Sequence, residues 1–177
     1  FVLRPDPIPQ LDVDDGRGHQ LWHNAPGDSL HNEVREVIWA GDNVIFQAEP
    51  DGWRHYYSVS VSNPGMEAIK LTPGDGIAEY ISLSSDGQTL YYATNAGDID
   101  RRHLWRVPTS GGRATQLTSG ESIETYPAAL ASGDAVAVLE AGPTLPLSVA
   151  LVPSAGGTPR VITDLPNDFP LDDQVVP

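Results

Sequence analysis

An internal repeat of 45 or 46 residues runs through most of this chain, and few folds accommodate it. Three segments end alike, and their closing threonines, Thr72, Thr118 and Thr163, lie 46 and 45 positions apart. The motif VPTSGG at 107–112 recurs as VPSAGG at 152–157 with the same shift of 45. Repeats of this length indicate a unit that buries its apolar face only against its neighbours.

Each copy of the repeat predicts four short strands. In the middle copy the strand segments are YISLS, TLYYAT, HLWRV and ATQLT, joined in part by the turn sequences SDG and TSGG. Such segments are rich in β-branched and aromatic residues, and Asp-Gly and Gly-Gly favour hairpin turns. Apolar residues at helical spacing over three turns are lacking. The sequence therefore predicts an all-β fold: a partial β-propeller of about three and a half four-stranded blades.

The repeat also predicts the domain bounds. Residues 1–32 are interpreted as the end of a preceding blade, 33–78, 79–123 and 124–164 as three blades, and 165–177 as a linker. Propellers have about four to eight blades, and an open ring exposes strand edges. We therefore expect the chain to be an internal piece of a longer protein, or to be completed by a partner or by oligomerisation.

Composition excludes several classes of function. The net charge is −14 and Lys70 is the one lysine, so a phosphate backbone would be repelled and nucleic-acid binding is not expected. There is no cysteine, hence no disulfide or thiol chemistry. The absence of any run of 18 apolar residues argues against a membrane-spanning helix.

Three segments carry a resemblance to a known family. EPDGWRHYYSV at 49–59, SSDGQTLYYATNAGDIDRRHLWRV at 84–107 and LPNDFPLDDQVVP at 165–177 resemble the propeller of bacterial dipeptidyl-peptidase-IV-like serine peptidases, in the prolyl oligopeptidase family. The resemblance implies a propeller that roofs the active site of an α/β-hydrolase domain, with 165–177 leading into that domain. It also implies short peptides as ligands and a periplasmic or extracellular location.

The catalytic signatures of such peptidases are missing from this sequence. No serine lies in a G-x-S-x-G elbow, and no histidine follows His103. The adjacent glutamate pair with which dipeptidyl peptidases hold the substrate amine has no counterpart either. The sequence therefore predicts no catalytic residue, no cofactor and no metal in this chain.

Other candidate sites have simpler explanations. GDSL at 27–30 with DRRH at 100–103 matches part of another hydrolase class, but Ser29 follows Pro26 in a predicted loop and the accompanying Gly and Asn blocks are absent. His19 and His23 would lie roughly 13 Å apart on a strand, too far for one zinc ion. The segment DVDDG at 12–16 lacks the acid spacing of a calcium loop.

The loops between the second and third strands are the strongest functional candidates. Glu49, Asn95 and Glu140 open these loops at spacings of 46 and 45, so the loops are expected to emerge together on one face. The proposed gating or docking residues are Glu49, Asp51, Trp53, Arg54, Asn95, Asp98, Asp100, Arg101, Arg102 and Glu140. Trp53, on a connecting loop, is also a candidate for stacking against a ligand.

The charged segment before the strand HLWRV raises a structural alternative. On an extended strand Arg101 and Arg102 point to opposite faces, so they are not expected to form one anion clamp. Guanidinium forks suit carboxylates, which predicts that at least one of them pairs with an acid of this loop or of a neighbouring blade.

Two interpretations of the whole chain follow. The preferred one is a non-catalytic propeller segment of a serine peptidase that gates peptide access and docks the hydrolase domain. The alternative is a stand-alone TolB-like propeller that binds or scaffolds a partner, and a hydrolase using Ser29 is a distant third. Continuation of the reading frame beyond Pro177 into G-x-S-x-G and a late histidine would separate the first two.

Overall fold

In the computed structural model of the protein, the described residues are 8–11, 18–22 and 34–164. These ranges hold fourteen β-strands and no helix. The predicted all-β propeller class is confirmed, because residues 34–164 form three four-stranded antiparallel sheets, each built from four consecutive strands. Short strands joined by Gly- and Asp-rich turns are what the hairpin signals dictate.

Each sheet is one blade, with its strands in chain order. The first blade comprises β3 (Arg35–Ala40), β4 (Asn43–Ala48), β5 (His55–Ser60) and β6 (Ile69–Lys70). The second comprises β7 (Ala78–Leu83), β8 (Thr89–Thr94), β9 (His103–Pro108) and β10 (Thr115–Gln116). The third comprises β11 (Ile123–Ala129), β12 (Ala135–Gly142), β13 (Leu145–Pro153) and β14 (Arg160–Val161).

A two-stranded hairpin precedes the blades. It pairs β1 (Ile8–Leu11) with β2 (Gly18–Trp22). Leu21 is 2% exposed and belongs to a core cluster with Phe46, and the Trp22 ring lies 4.7 Å from the Phe46 ring. The hairpin therefore covers part of the outer face of the first blade, as an adjoining blade would.

The hydrophobic core lies between the blades rather than at a single centre. Strand alternation sends apolar side chains to both faces of each sheet, so that neighbouring sheets pack face to face. The cluster between the first and second blades includes Ala40, Ile45, Tyr56, Leu71, Ala78, Leu90, Tyr92 and Val107. The cluster between the second and third includes Tyr91, Leu104, Leu117, Val136, Val138, Ala150 and Val152. Each large side chain so buried contributes about 1.5–3 kcal/mol.

A threonine at the end of each repeat fastens the fourth strand to the third. The hydroxyl of Thr72 accepts a hydrogen bond from the Tyr56 amide at 3.0 Å, and that of Thr118 accepts one from the Leu104 amide at 2.9 Å. In the third blade the Val149 amide donates to Thr163 at 2.7 Å. In the first two blades, where the amide is buried, an apolar side chain would leave it unsatisfied, which explains why a threonine recurs there.

The first strand of every blade carries a bulge with a non-glycine residue in the left-handed region. Glu36, Tyr80 and Tyr126 have φ of 48°, 49° and 50°, and the strand register shifts at each of them. A residue with a side chain adopts this conformation at a cost of about 1–3 kcal/mol. A bulge bends the strand and re-aims one side chain. The same re-aiming therefore occurs in all three blades.

Candidate functional site

The loop of the first blade between β4 and β5 is tied together by Asp51. Its carboxylate accepts hydrogen bonds from Lys70 Nζ at 2.8 Å and from the Trp53 amide at 3.2 Å. Partial burial works to raise the pKa of Asp51, but the bonds from Lys70 and Trp53 and the nearby charges of His55 and Lys70 together lower it. Glu49 and Trp53 are half-buried in this loop.

The loop of the second blade between β8 and β9 is held by bonds within itself. Arg101 pairs with Asp98 at 3.2 Å, and the Asp100 amide donates to the Asp98 carboxylate at the same distance. Asn95 is 6% exposed, and its side-chain oxygen accepts a bond of 2.7 Å from the Ile77 amide. Asn95 therefore anchors the connection between two blades.

The third blade departs from the predicted loop. Glu140 is not in a loop but inside β12, which runs on to Gly142 before the chain turns back at Leu145. Its cross-strand partner on the inner side is Glu124, and its side chain is buried. In this blade β12 and β13 continue to pair as far as Gly142 and Leu145, which lengthens the hairpin. Glu140 and Asn95 therefore do not hold equivalent positions, although they are 45 residues apart, as the repeat requires.

Two arginines from successive blades flank one glutamate. Arg102 Nε lies 2.6 Å from Glu79 Oε2, and Arg54 Nη2 lies 3.5 Å from Glu79 Oε1. Arg54 and Arg102 precede the third strands of their blades, and Glu79 is on the first strand of the second blade. The prediction that at least one of Arg101 and Arg102 pairs with an acid of this loop or of a neighbouring blade is confirmed by Arg101, which pairs with Asp98 of the same loop. Arg102 pairs with Glu79 of its own blade.

Two tyrosines adjoin this group through the bulges. The rings of Tyr80 and Tyr126 lie 4.0 Å apart at 34°, and Tyr126 is 57% exposed. A hydrogen bond with Tyr126 is the main reason that the pKa of Tyr80 is raised, with burial second. Glu36, at the bulge of the first blade, accepts a hydrogen bond from the Tyr56 hydroxyl. We call the set Glu36, Arg54, Glu79, Tyr80, Arg102 and Tyr126 the inner rim.

A buried polar network lies next to the inner rim between the second and third blades. The Glu124 carboxylate is 3.0 Å from His103 Nδ1 and accepts a bond from the Thr118 hydroxyl. In the first blade the buried His55 is 3.4 Å from Asp51 and from Thr72. Burial, then the charge of Lys70, lowers the pKa of His55 against the opposing effect of Asp51. Both histidines start the third strand of their blade, and His103 links its blade to the next through Glu124.

Sequence reasoning located only part of the inner rim. Arg54 and Arg102 were among the predicted residues, because they lie in the loops between the second and third strands. Glu36, Tyr80 and Tyr126 were missed, since a left-handed bulge residue without glycine carries no local signal. The one clue in the sequence was that each of these three residues lies within a few positions of the start of its repeat.

Several sequence-based candidates lie outside the described residues. Ser29, His23 and residues 12–16 belong to this group. Within the described ranges, no three histidine or acidic side chains are grouped as a metal site would require. In the same ranges, no helix is long and apolar enough to cross a membrane.

Blades of four antiparallel strands that pack face to face define a β-propeller. The sequence matches the family model described as the dipeptidyl peptidase IV (DPP IV) N-terminal region over residues 16–147. The chain belongs to this family, as the resemblance noted in the sequence implied. No curated protein sequence matches the chain.

Solved structures share the fold at low sequence identity. A TolB-type protein from Agrobacterium tumefaciens aligns with a TM-score of 0.59 at 19% identity, over 86% of this chain and 59% of its own. TolB from Acinetobacter baumannii aligns with a TM-score of 0.55 at 19% identity, over 89% of this chain and 37% of its own. A puromycin-hydrolyzing peptidase from Mycobacterium tuberculosis aligns with a TM-score of 0.66 at 17% identity, over 94% of this chain and 26% of its own. The chain thus spans between about a quarter and three fifths of these structures.

Proposed function

We propose that this chain is the non-catalytic propeller segment of a serine peptidase, where it controls the access of short peptides and docks an α/β-hydrolase domain. The observation that carries the proposal is the match to the dipeptidyl peptidase IV N-terminal region. The similarity to a peptidase over 94% of this chain is consistent with it.

The side-chain chemistry supports a role without catalysis. The buried groups that resemble catalytic ones, His103 with Glu124 and Thr118, are enclosed between blades, with His103 6% and Glu124 1% exposed. A nucleophile has to reach a substrate atom at about 3 Å, which an enclosed hydroxyl does not. The exposed polar groups, by contrast, gather at the loops and the inner rim, where binding residues are usually found. For the same family reason we propose a periplasmic or extracellular location.

A trans-complementation assay tests the proposal. The purified chain is added to the isolated α/β-hydrolase domain of a dipeptidyl-peptidase-IV-type enzyme, and hydrolysis of a peptide nitroanilide and of casein is followed. We expect the chain alone to be inactive, to bind the hydrolase domain, and to reduce casein cleavage far more than nitroanilide cleavage. Equal effects on both substrates, or no binding, would refute the gating and docking roles.

The TolB-type structures favour a second candidate, a propeller that binds or scaffolds another protein. The same assay separates the two, since a scaffold of that kind gives no complex with the hydrolase domain. Hydrolysis by the chain alone that disappears in Ser29→Ala would instead support the third hypothesis.

A further inference from the structure

The inner rim holds more hydrogen-bond donors than its acids accept. A guanidinium carries five N–H donors, and a carboxylate offers about four acceptor sites. Arg102 contacts Glu79 through Nε and Arg54 contacts it through one terminal nitrogen. About a third of each arginine side chain is exposed, against 17% for Glu79. Each guanidinium therefore keeps accessible donors beside the carboxylate that they share.

The balance of charge at this place differs from that of the whole molecule. The chain has 24 acidic and 10 basic side chains, whereas the inner rim has two of each. Glu79 is the acid that both arginines contact, and Glu36 instead accepts a hydrogen bond from the Tyr56 hydroxyl. Because an arginine fork suits a carboxylate in a bidentate arrangement, the donors that Glu79 does not engage match one further carboxylate group, since no other acid among the described residues takes them.

An aromatic surface adjoins the arginines. Tyr80 follows Glu79 directly, and the charge of Arg102 acts on the Tyr80 hydroxyl. The left-handed bulges hold Tyr80 and Tyr126 with their rings together, and Tyr126 is more than half exposed. Strained backbone that recurs beside charged groups is a pointer to binding, and an exposed tyrosine pair offers a flat surface for a neighbouring side chain.

We propose that the inner rim binds the carboxylate of a peptide. Arg54 and Arg102 take the carboxylate on the nitrogens that Glu79 leaves free, and Tyr80 and Tyr126 pack against the adjoining side chain. The carboxylate belongs either to the C-terminus or to an acidic side chain, which present the same chemistry. This inference rests on the proposed function only in taking the ligand to be a peptide. Its test needs no hydrolase domain, so carboxylate binding can fail while the peptidase role stands, and the reverse.

Binding of three N-acetylated tripeptides to the 177-residue chain, measured by isothermal titration calorimetry, tests the proposal. The acetyl group blocks the amine in each. One has Phe at a free C-terminus, the second is the same peptide with an amidated C-terminus, and the third has Glu in place of Phe and an amidated C-terminus. Binding of the first, of the third or of both supports the proposal and identifies the source of the carboxylate. Equal binding of the second peptide, or no binding of any, overturns it.

Substitutions at the centre of the inner rim give changes of opposite sign. Arg102→Gln should weaken binding about tenfold or more, as expected for a charge-assisted contact. Glu79→Gln should strengthen it severalfold, because it removes the competing carboxylate. A structural role alone would weaken binding in both. Arg113→Gln, which removes the same charge at an exposed position outside the inner rim and the predicted loops, is the matched control and should leave affinity within about twofold.

Two further variants keep the test decisive if one protein is poorly folded, which circular dichroism would show. Arg102→Lys keeps the charge but not the fork, and should still weaken binding severalfold. Tyr126→Ala removes the exposed ring and should weaken the Phe peptide more than a matching Ala peptide. Unchanged affinity in both variants would contradict the proposed geometry.

Discussion

Glu140 shows how one buried side chain sets a dependence of stability on pH. It is 6% exposed, and its Oε2 has no hydrogen-bond partner among the described residues. Burial, and then the charge of Glu124, raises its pKa above the ordinary 4.5, against a weaker opposing bond from Ser122. The folded state therefore holds this proton more tightly than the unfolded state does.

We expect Glu140→Gln to stabilise the protein at neutral pH. The pKa of Glu140 is higher in the folded state than in the unfolded state. Its contribution to stability is therefore fully present at pH values below the unfolded-state pKa, and it is lost as the pH rises through the folded-state pKa. The gain of the variant should therefore be near zero at pH 4 and grow toward pH 7, as measured by urea unfolding. Glu67→Gln, at an exposed position, is the control, and a gain that is the same at every pH would contradict the explanation.

The two neighbouring arginines should differ in their effect on stability. Arg101 and Asp98 are each more than a third exposed, and such pairs are worth about 0–1 kcal/mol. Arg102 meets Glu79, which is far less exposed, so its loss leaves a partly buried carboxylate with a weaker partner. Arg102→Ala should lower the free energy of unfolding clearly more than Arg101→Ala. Equal losses in denaturant unfolding would show that the pairing with Glu79 is not structural.

At the level of strands, much of the blade was predictable from the sequence. Alternation, hairpin turns and the recurring threonine give four strands per repeat, because each is a local property. The position of Glu140 was not predictable, since the length of a hairpin depends on how far two strands continue to pair. The left-handed bulges at Tyr80 and Tyr126 also had no local signal, because neither residue is a glycine.

The threonines that join the third and fourth strands provide a graded test. Thr72→Val and Thr118→Val each remove the acceptor of a buried amide, which should cost about 1–3 kcal/mol. Thr163→Val makes the same change at an exposed site and should cost less, because water replaces the hydroxyl. Thermal unfolding of the three variants measures the difference. A loss at Thr163 as large as at Thr72 would refute the role of burial.

At the scale of the whole molecule, the third blade has an apolar face that no described residue covers. Val149 is 37% exposed, whereas Tyr56 and Leu104, which hold the same place in the first and second blades, are fully buried. Ile162 is 46% exposed, while Leu117 at the corresponding place is 4% exposed. The earlier residues are covered by the blade that follows them. We therefore predict that a further blade, or a second copy of the chain, covers this face of the third blade.

These blades are expected to be part of a larger assembly, and the melting temperature as a function of chain concentration tests this most directly. If association covers the apolar face, the melting temperature should rise with concentration, because folding is coupled to assembly by mass action. Val149→Asp places a charge on that face and should remove the dependence. A melting temperature that is independent of concentration, with a monomeric mass by light scattering, would contradict the account.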